Sequence, residues 1–272
     1  MTPDEFLRQV AQAITRQEDL NDRETRDILY ELALRIYALL LSRLPATNFE
    51  RQLRWPQLRS AILPQLQGAS DAIATQLFAR VDATNAEVAP IVAEYSGLAS
   101  AALPPPPLQE AAARTRVLAT PLPELFTASP VTGISPFALQ LLRLLERSLL
   151  PAFFKEESSR DVAAHVIGTR TIAGRSAGVA TRGTVASAWR ERLRAITAAA
   201  LWAQLTPLQE QALQQSGTVS TQWEWVAILD PKTCPICRPL DGQVAAAPQF
   251  FPRGAPPLHP KCRCVVIPRL AT

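Results

Sequence analysis

Apolar residues recur at helical spacing through most of the first 97 positions. Thr2-Pro3-Asp4-Glu5 supplies an N-cap, a proline at the first helical position and a capping-box glutamate, which predicts a helix from residue 3 to about residue 16. Ile28, Leu32, Ile36, Leu39 and Leu40 form the core stripe of a second helix, 23–44, that ends before Pro45. Further helices are predicted over 49–63, 64–81 and 85–95. Pro56, Pro64 and Pro90 limit or bend them, because proline removes a backbone donor and crowds the preceding turn. Arg51, Arg54 and Arg59 read as a solvated helix face.

The pattern changes at 98. Pro104 to Pro107 form an unbroken proline run, and Pro121, Pro123, Pro130 and Pro136 punctuate the residues after it, so 98–135 reads as a linker or extended arm with a short helix near 110–118. Helical spacing resumes at Pro136, where Phe137, Leu141, Leu144 and Leu145 make a stripe ending near Leu150, and Pro151 opens a segment to about Ile167. His165 in that segment has no carboxylate or nucleophile visibly paired with it and reads as a packed or surface residue. The glycine-rich run 168–178 lacks the G-K-[ST] of a phosphate loop and the G-x-G-x-x-G of a dinucleotide site, and reads as a turn. A helix is predicted over 184–203. Thr206 with Gln209 three positions later predicts the capped start of another, ending near Gly217.

After residue 220 the period becomes two. Trp223, Trp225, Ala227 and Leu229 share one face of a strand over 221–229, while Glu224, Val226 and Ile228 take the other. Asp241-Gly242 predicts a tight turn, and the run from Cys264 to Ile267 a returning strand. The fold class is therefore α+β: mostly helical regions followed by a small terminal β-hairpin module. Four parts are expected: a helical region 1–97, a proline-rich stretch 98–135, a helical region with basic residues 136–220, and the β module 221–272.

Composition narrows the class. A chain of 272 residues that is 47% hydrophobic and 19% charged has ample material for packed cores. Its net charge of +4 permits nucleic-acid binding without demanding it. Positive charge gathers in the second half: seven arginines stand between 160 and 194 against Asp161 and Glu191. Of these, Arg182, Arg190, Arg192 and Arg194 are the candidates for contact with phosphate or a partner, although a solvated helix flank explains such residues by default. Acidic residues at the start differ from the positively charged opening of a secretory leader, so export is not expected. The apolar runs are too short or too broken to span a membrane.

All four cysteines and one of two histidines fall late in the chain: Cys234 and Cys237 in a C-x2-C knuckle, then His259, Cys262 and Cys264. A tight turn aims the sulfurs of a C-x2-C pair at one point, and an extended Arg263 places Cys262 and Cys264 on one face. A metal-free reduced turn and a disulfide are the bland alternatives. Two close doublets beside a histidine favour a metal, and a hairpin with little core has reason to be stapled by one. Structural zinc takes four ligands. The expected set is Cys234, Cys237, Cys262 and Cys264, with His259 outside; a site using His259 in place of Cys264 is the alternative. The H-x-E of zinc deaminases and the H-E-x-x-H of zinc proteases are missing, and an enzyme is not expected.

The run 225–237, with Leu240-Asp241-Gly242 and Pro256-Pro257-Leu258-His259-Pro260-Lys261-Cys262-Arg263-Cys264-Val265, resembles the carboxyl-terminal domain of phage minor head proteins, the head-morphogenesis family of phages Mu and SPP1. The resemblance is strong over 223–268 and one of general organisation before it. It implies a minor capsid protein of the virion head, associated with the portal vertex and made in the host bacterial cytoplasm, acting in head assembly and aiding DNA packaging or delivery. Its partners would be portal and capsid proteins, with DNA contact in addition. The motif positions it carries over are Asp230, Cys234, Cys237, Asp241, Gly242, His259, Cys262, Arg263 and Cys264, in structural or metal-binding roles. The competing class is a zinc-stapled nucleic-acid-binding protein without catalytic activity.

Overall fold

A computed structural model describes residues 1–98, 116–117, 120–155, 157–167, 184–217, 222–227, 234–259 and 262–269. Among these, seven α-helices run in the order α1 (Pro3–Arg43), α2 (Asn48–Tyr95), α3 (Leu122–Phe126), α4 (Pro136–Phe153), α5 (Ser159–Ile167), α6 (Val185–Trp202) and α7 (Leu205–Ser216). Strands β1 (Arg116–Val117) and β2 (Thr120–Pro121) pair in the proline-rich stretch, and β3 (Gln222–Val226), β4 (Val244–Ala245) and β5 (Val265–Arg269) form a terminal sheet. The helix expected near 110–118, the glycine-rich run 168–178, Arg182, Leu229 and Asp230 lie outside the described residues, apart from the strand at 116–117.

Two helices replace the five expected from the first 97 residues. Thr2 caps α1 as the sequence predicts, its Oγ1 accepting the Glu5 N–H at 3.3 Å. The polar stretch at 17–22 does not break the helix, because it carries neither proline nor glycine and its amides are used inside: Gln17 donates to Glu87 at 2.6 Å and Asn21 to Thr197 at 2.7 Å. In α2, prolines 56, 64 and 90 stand within a continuous helix. Each deprives the carbonyl four residues earlier of its helical donor. Those carbonyls belong to Gln52, Ser60 and Ala86, all exposed residues, so each lost bond falls on the solvent side of the helix, where it costs least. Thr47 caps α2 in a way that sequence reading passed over: its Oγ1 accepts the Glu50 N–H at 3.3 Å and its hydroxyl donates to the Glu50 carboxylate at 2.9 Å.

Chain contacts divide the molecule into two compact units that interleave along the sequence. One comprises 1–21, 77–123 and 194–272; its helical core includes Phe6, Val10, Ile14, Val88, Val92, Leu201 and Leu208, with Phe6 stacked on Tyr95 at 4.3 Å. The other comprises 22–76 and 124–193. There Leu32, Ile36 and Leu40 are buried as predicted, whereas Ile28 and Leu39 are only half-buried. Phe137, Leu141 and Leu145 of α4 are buried, as are Ile62, Leu66 and Trp189, whose Nε1 donates to the Leu141 carbonyl at 2.9 Å.

Arg51 departs from its expected solvated face. It is fully buried, donating to the carbonyls of Pro45 and Ala46 at 2.8 and 2.9 Å, to Asn48 Oδ1 at 3.1 Å and to Ser159 Oγ at 3.3 Å. The guanidinium thus satisfies the turn between α1 and α2 from within. The predicted cap at Thr206 also fails: α7 begins at Leu205, with Gln204 as its N-cap residue and no side-chain cap bond there. Only two residues separate α6 from α7, so Thr206 falls inside the helix, and Gln204 bonds back to the Ala200 carbonyl at 2.8 Å. Gly217 ends α7 in the left-handed conformation, as its position predicts.

Candidate metal centre

The terminal sheet has the order β4-β3-β5, all antiparallel, so the expected hairpin is a three-stranded sheet. Trp223 lies opposite both Ala245 and Pro268, and Trp225 opposite Val266. Strand alternation sends Trp223 and Trp225 inward and leaves Glu224 on the outer face, where it accepts from Arg269 at 2.9 Å. The inward face closes over Leu213, Leu240, Phe251 and Val266, with Trp225 and Phe251 in an edge-to-face contact at 5.5 Å. Cys237, Cys262 and Cys264 belong to this same apolar cluster, Cys234 packs at its edge, and both Cys234 and His259 are half-buried.

Backbone bonds aim the sulfurs. The N–H groups of Cys237 and Arg238 donate to the Cys234 carbonyl at 3.2 and 3.1 Å, curling the knuckle so that the Cys237 N–H also reaches Cys234 Sγ at 3.3 Å. The next turn is locked to β3. Gly242 adopts φ of 75° and donates to the Trp225 carbonyl at 2.8 Å, while Asp241 Oδ1 accepts the Ala227 N–H at 2.8 Å. Asp241 and Gly242 therefore hold the turn in place. On the far side the Cys262 N–H donates to the His259 carbonyl at 3.1 Å, which ties the two donors together. Arg263 is half-buried, and its charge lowers the proton affinity of the Glu18 carboxyl against the larger effect of burial, which raises it.

Five donor atoms converge. The Nε2 of His259 lies 3.0 Å from Cys234 Sγ and 3.0 Å from Cys237 Sγ, and the sulfurs of Cys237 and Cys262 are 3.8 Å apart. Two groups result, Cys234-Cys237-His259 and Cys237-Cys262-Cys264, with Cys237 common to both. No disulfide joins any of the four cysteines. Sulfurs held 2.3 Å from a tetrahedral zinc stand about 3.8 Å apart, so the Cys237–Cys262 spacing suits such an ion. The four cysteines fall in one neighbourhood, as their spacing implies. That spacing does not anticipate that His259 points between the knuckle sulfurs, since the loop carrying it has no periodic pattern to orient it.

Proton sharing distinguishes the thiols. Cys262 is drawn down to about 5, chiefly by the bond from the Cys264 side chain and further by backbone N–H groups. Its partner Cys264 is pushed up, as the thiol that keeps the shared proton, and burial adds to the effect. Burial likewise raises Cys237. A cluster of soft sulfur donors beside an imidazole is suited to a metal such as zinc.

The basic helix behaves differently. Arg190 forms a two-pronged pair with Asp22, and Arg192 donates to Gln140 at 2.8 Å, so both take part in packing within their unit. Arg194 is exposed. His165 does have a carboxylate partner, contrary to the sequence reading: its Nε2 lies 2.9 Å from Glu157 Oε2, eight positions earlier across the turn into α5.

A small antiparallel sheet that gathers thiols and an imidazole beside a helical scaffold is the architecture of a structural module. Residues 161–267, from within α5 into β5, match the family described as Phage Mu protein F like protein. The matched region thus extends well upstream of Trp223. The match supports a general role in phage head morphogenesis, and proteins of this family are structural and morphogenetic, consistent with a non-catalytic role. No curated protein and no solved structure matches the chain. Among the described residues, no helix is long and apolar enough to cross a membrane.

Proposed function

We propose that this protein is a minor component of the phage head, incorporated at or near the portal vertex, with portal and capsid proteins as its partners. Assembly takes place in the host cytoplasm and the product resides in the virion head. The observation that carries the reading is the coincidence of the family match with the donor cluster: the matched region includes Cys234, Cys237, His259, Cys262 and Cys264. In this reading a zinc ion staples the module, supplying folding energy that its three short strands lack, and thereby presents a fixed surface to the assembling head. Asp241, Gly242 and Arg263 act as supports of the turn and the loop, and Asp230 keeps its motif role as an expectation from the resemblance. Packaging or delivery of DNA would follow from position at the vertex.

The competing nucleic-acid reading rests on Arg182, Arg190, Arg192 and Arg194. Engagement of Arg190 by Asp22 and of Arg192 by Gln140 weighs against it, because binding phosphate would cost those internal bonds. Complementation of a phage lacking this gene tests the assembly reading. Cys234→Ser is expected to yield soluble protein, with less of it in purified particles and fewer infectious particles per shell. Normal incorporation and infectivity after demonstrated zinc loss would reject the link from metal to assembly, and salt-sensitive DNA binding by the native protein would favour the competing reading.

A further inference from the structure

We infer that a groove between α1 and α2 receives an arginine side chain carried by a helical segment of a partner protein. On the assembly reading proposed above, on which only the partner's identity rests, that protein is another component of the head. The groove encloses about 500 Å³, within the range of sites that hold a small ligand or a side chain with part of its backbone. Its walls are largely apolar, Ile28 and Leu32 lining it from α1 and Ala69 and Ala72 from α2. Small residues on α2 keep it open. Gly68 also lines the groove and is exposed, and a Cβ placed on it would meet nothing within 4 Å. Ile28 is consequently left half-buried, although its position belongs to the core stripe of α1.

Two polar features point to the occupant. Gln65 lines the same groove, and its Oε1 is buried with no hydrogen-bond partner among the described residues. An acceptor in that state favours a donor that enters beside it, reached by a turn of the terminal amide. On the α1 side, Asp27 and Glu31 stand against a single cation of the lining, Arg35, which donates to Glu31 Oε2 at 3.2 Å. Asp27 lies 3.6 Å from Arg26. Both ion pairs are exposed, and such pairs hold their partners weakly, so the two carboxylates remain open to an incoming cation.

Arginine suits these walls better than lysine. Its planar guanidinium is weakly hydrated and carries five donors, enough to serve Gln65 and a carboxylate together, while its aliphatic stem covers Ile28 and Leu32. A lysine ammonium is strongly hydrated and would lose more on entering an apolar groove. A helical carrier is indicated by α2 itself. Pro64, Gly68 and Ala72 recur every four residues along one row, and the distance at which two helices pack is set by the side chains at their contact.

Fluorescence anisotropy with the full-length protein and a blocked, end-labelled helical peptide of alanine and glutamine bearing one central arginine tests this. Saturable binding with half-saturation below about 1 mM is expected, and weaker binding when citrulline, lysine or leucine replaces the arginine. Asp27→Asn and Glu31→Gln should each weaken it about 2–5-fold, the range for an exposed ion pair. Gly68→Leu, which occupies the open space, should weaken it about 10-fold or more, whereas Gly68→Ala should bind as the native protein does. Both replace glycine by a better helix former, and circular dichroism checks that they fold. In phage complementation Gly68→Leu should enter particles poorly with its zinc content unchanged. Absence of saturable binding, equal binding of the leucine peptide, or native affinity in Gly68→Leu would overturn the inference. Self-association of the native chain that Gly68→Leu abolishes would overturn it in favour of a second copy as occupant. Failure of the native protein to enter particles would refute the assembly reading alone, and the peptide result would stand.

Discussion

Replacing Arg51 would show how much the α1–α2 turn depends on a buried guanidinium. The side chain makes four hydrogen bonds, two of them to the consecutive carbonyls of Pro45 and Ala46. In Arg51→Met the volume is largely kept, but the Ala46 carbonyl loses this donor and Pro45 retains only the hydroxyl of Ser159, at 3.0 Å. An acceptor left unsatisfied away from water costs about 1–3 kcal/mol, but Pro45 is half-buried and Ala46 exposed, and relief from burying the charge offsets part of the loss, so a net destabilisation of about 1–2 kcal/mol is expected. Arg51→Ala adds a cavity and should reach about 3–5 kcal/mol. For a chain of this size about 3 kcal/mol corresponds to a fall in Tm of roughly 6–12 °C. Urea unfolding followed by circular dichroism gives the free energy, and calorimetry the Tm. Variants within about 0.5 kcal/mol of the native protein would refute the buried network, since that is the behaviour of a solvated surface arginine.

Three further outcomes are expected. Purified protein should contain about one zinc per chain by metal analysis, with lower occupancy in Cys234→Ser and Cys262→Ser; full occupancy in both would exclude the site. Chelation should speed hydrogen exchange in residues 222–227 and 262–269 while helical circular dichroism largely persists, and collapse of all helical signal would show that the metal supports far more than its module. Glu18 is raised by burial, against the lowering effect of the bond it accepts from Trp202 Nε1 at 3.0 Å. Its native proton affinity therefore exceeds that of the unfolded chain, and ionisation penalises the fold increasingly as pH rises from the unfolded value toward and through the native one. Glu18→Gln keeps an acceptor for the indole and should raise the Tm at pH 7, with the gain vanishing below about pH 4, where both states are protonated; an equal gain at both pH values would dissociate it from titration.

The helices were legible because apolar periodicity survives whatever surrounds it, whereas their ends were not. Prolines 56, 64 and 90 look like breaks in a one-dimensional reading, yet each withdraws a donor from the carbonyl of an exposed residue. The cost depends on which side of the helix the proline occupies in the folded molecule. Arg51 misleads for the converse reason: its burial is set by the path of the turn before it and by Ser159, 108 positions away.

The metal centre shows the same division between what spacing encodes and what folding supplies. Cys234 with Cys237, and Cys262 with Cys264, are local pairs, so their proximity follows from one turn and one extended dipeptide. Bringing the pairs together requires β5 to return along β3 and the turn at Gly242 to lock onto Trp225, bonds that join residues far apart in sequence. His259 depends on still more, because the stretch between β4 and β5 lacks a repeating pattern and is oriented by packing such as Phe251 against Trp225. A single late imidazole is therefore the donor a sequence reading is least able to place. Its insertion between two knuckle sulfurs couples the least regular part of the chain to the site, so an ion bound there would fix that loop as well as the sheet. That loop also carries Phe250, which is 67% exposed despite its size. Metal binding and the shape of an exposed apolar surface would then be set together, which is why loss of zinc is expected to appear first as defective incorporation into heads rather than as loss of the helical scaffold.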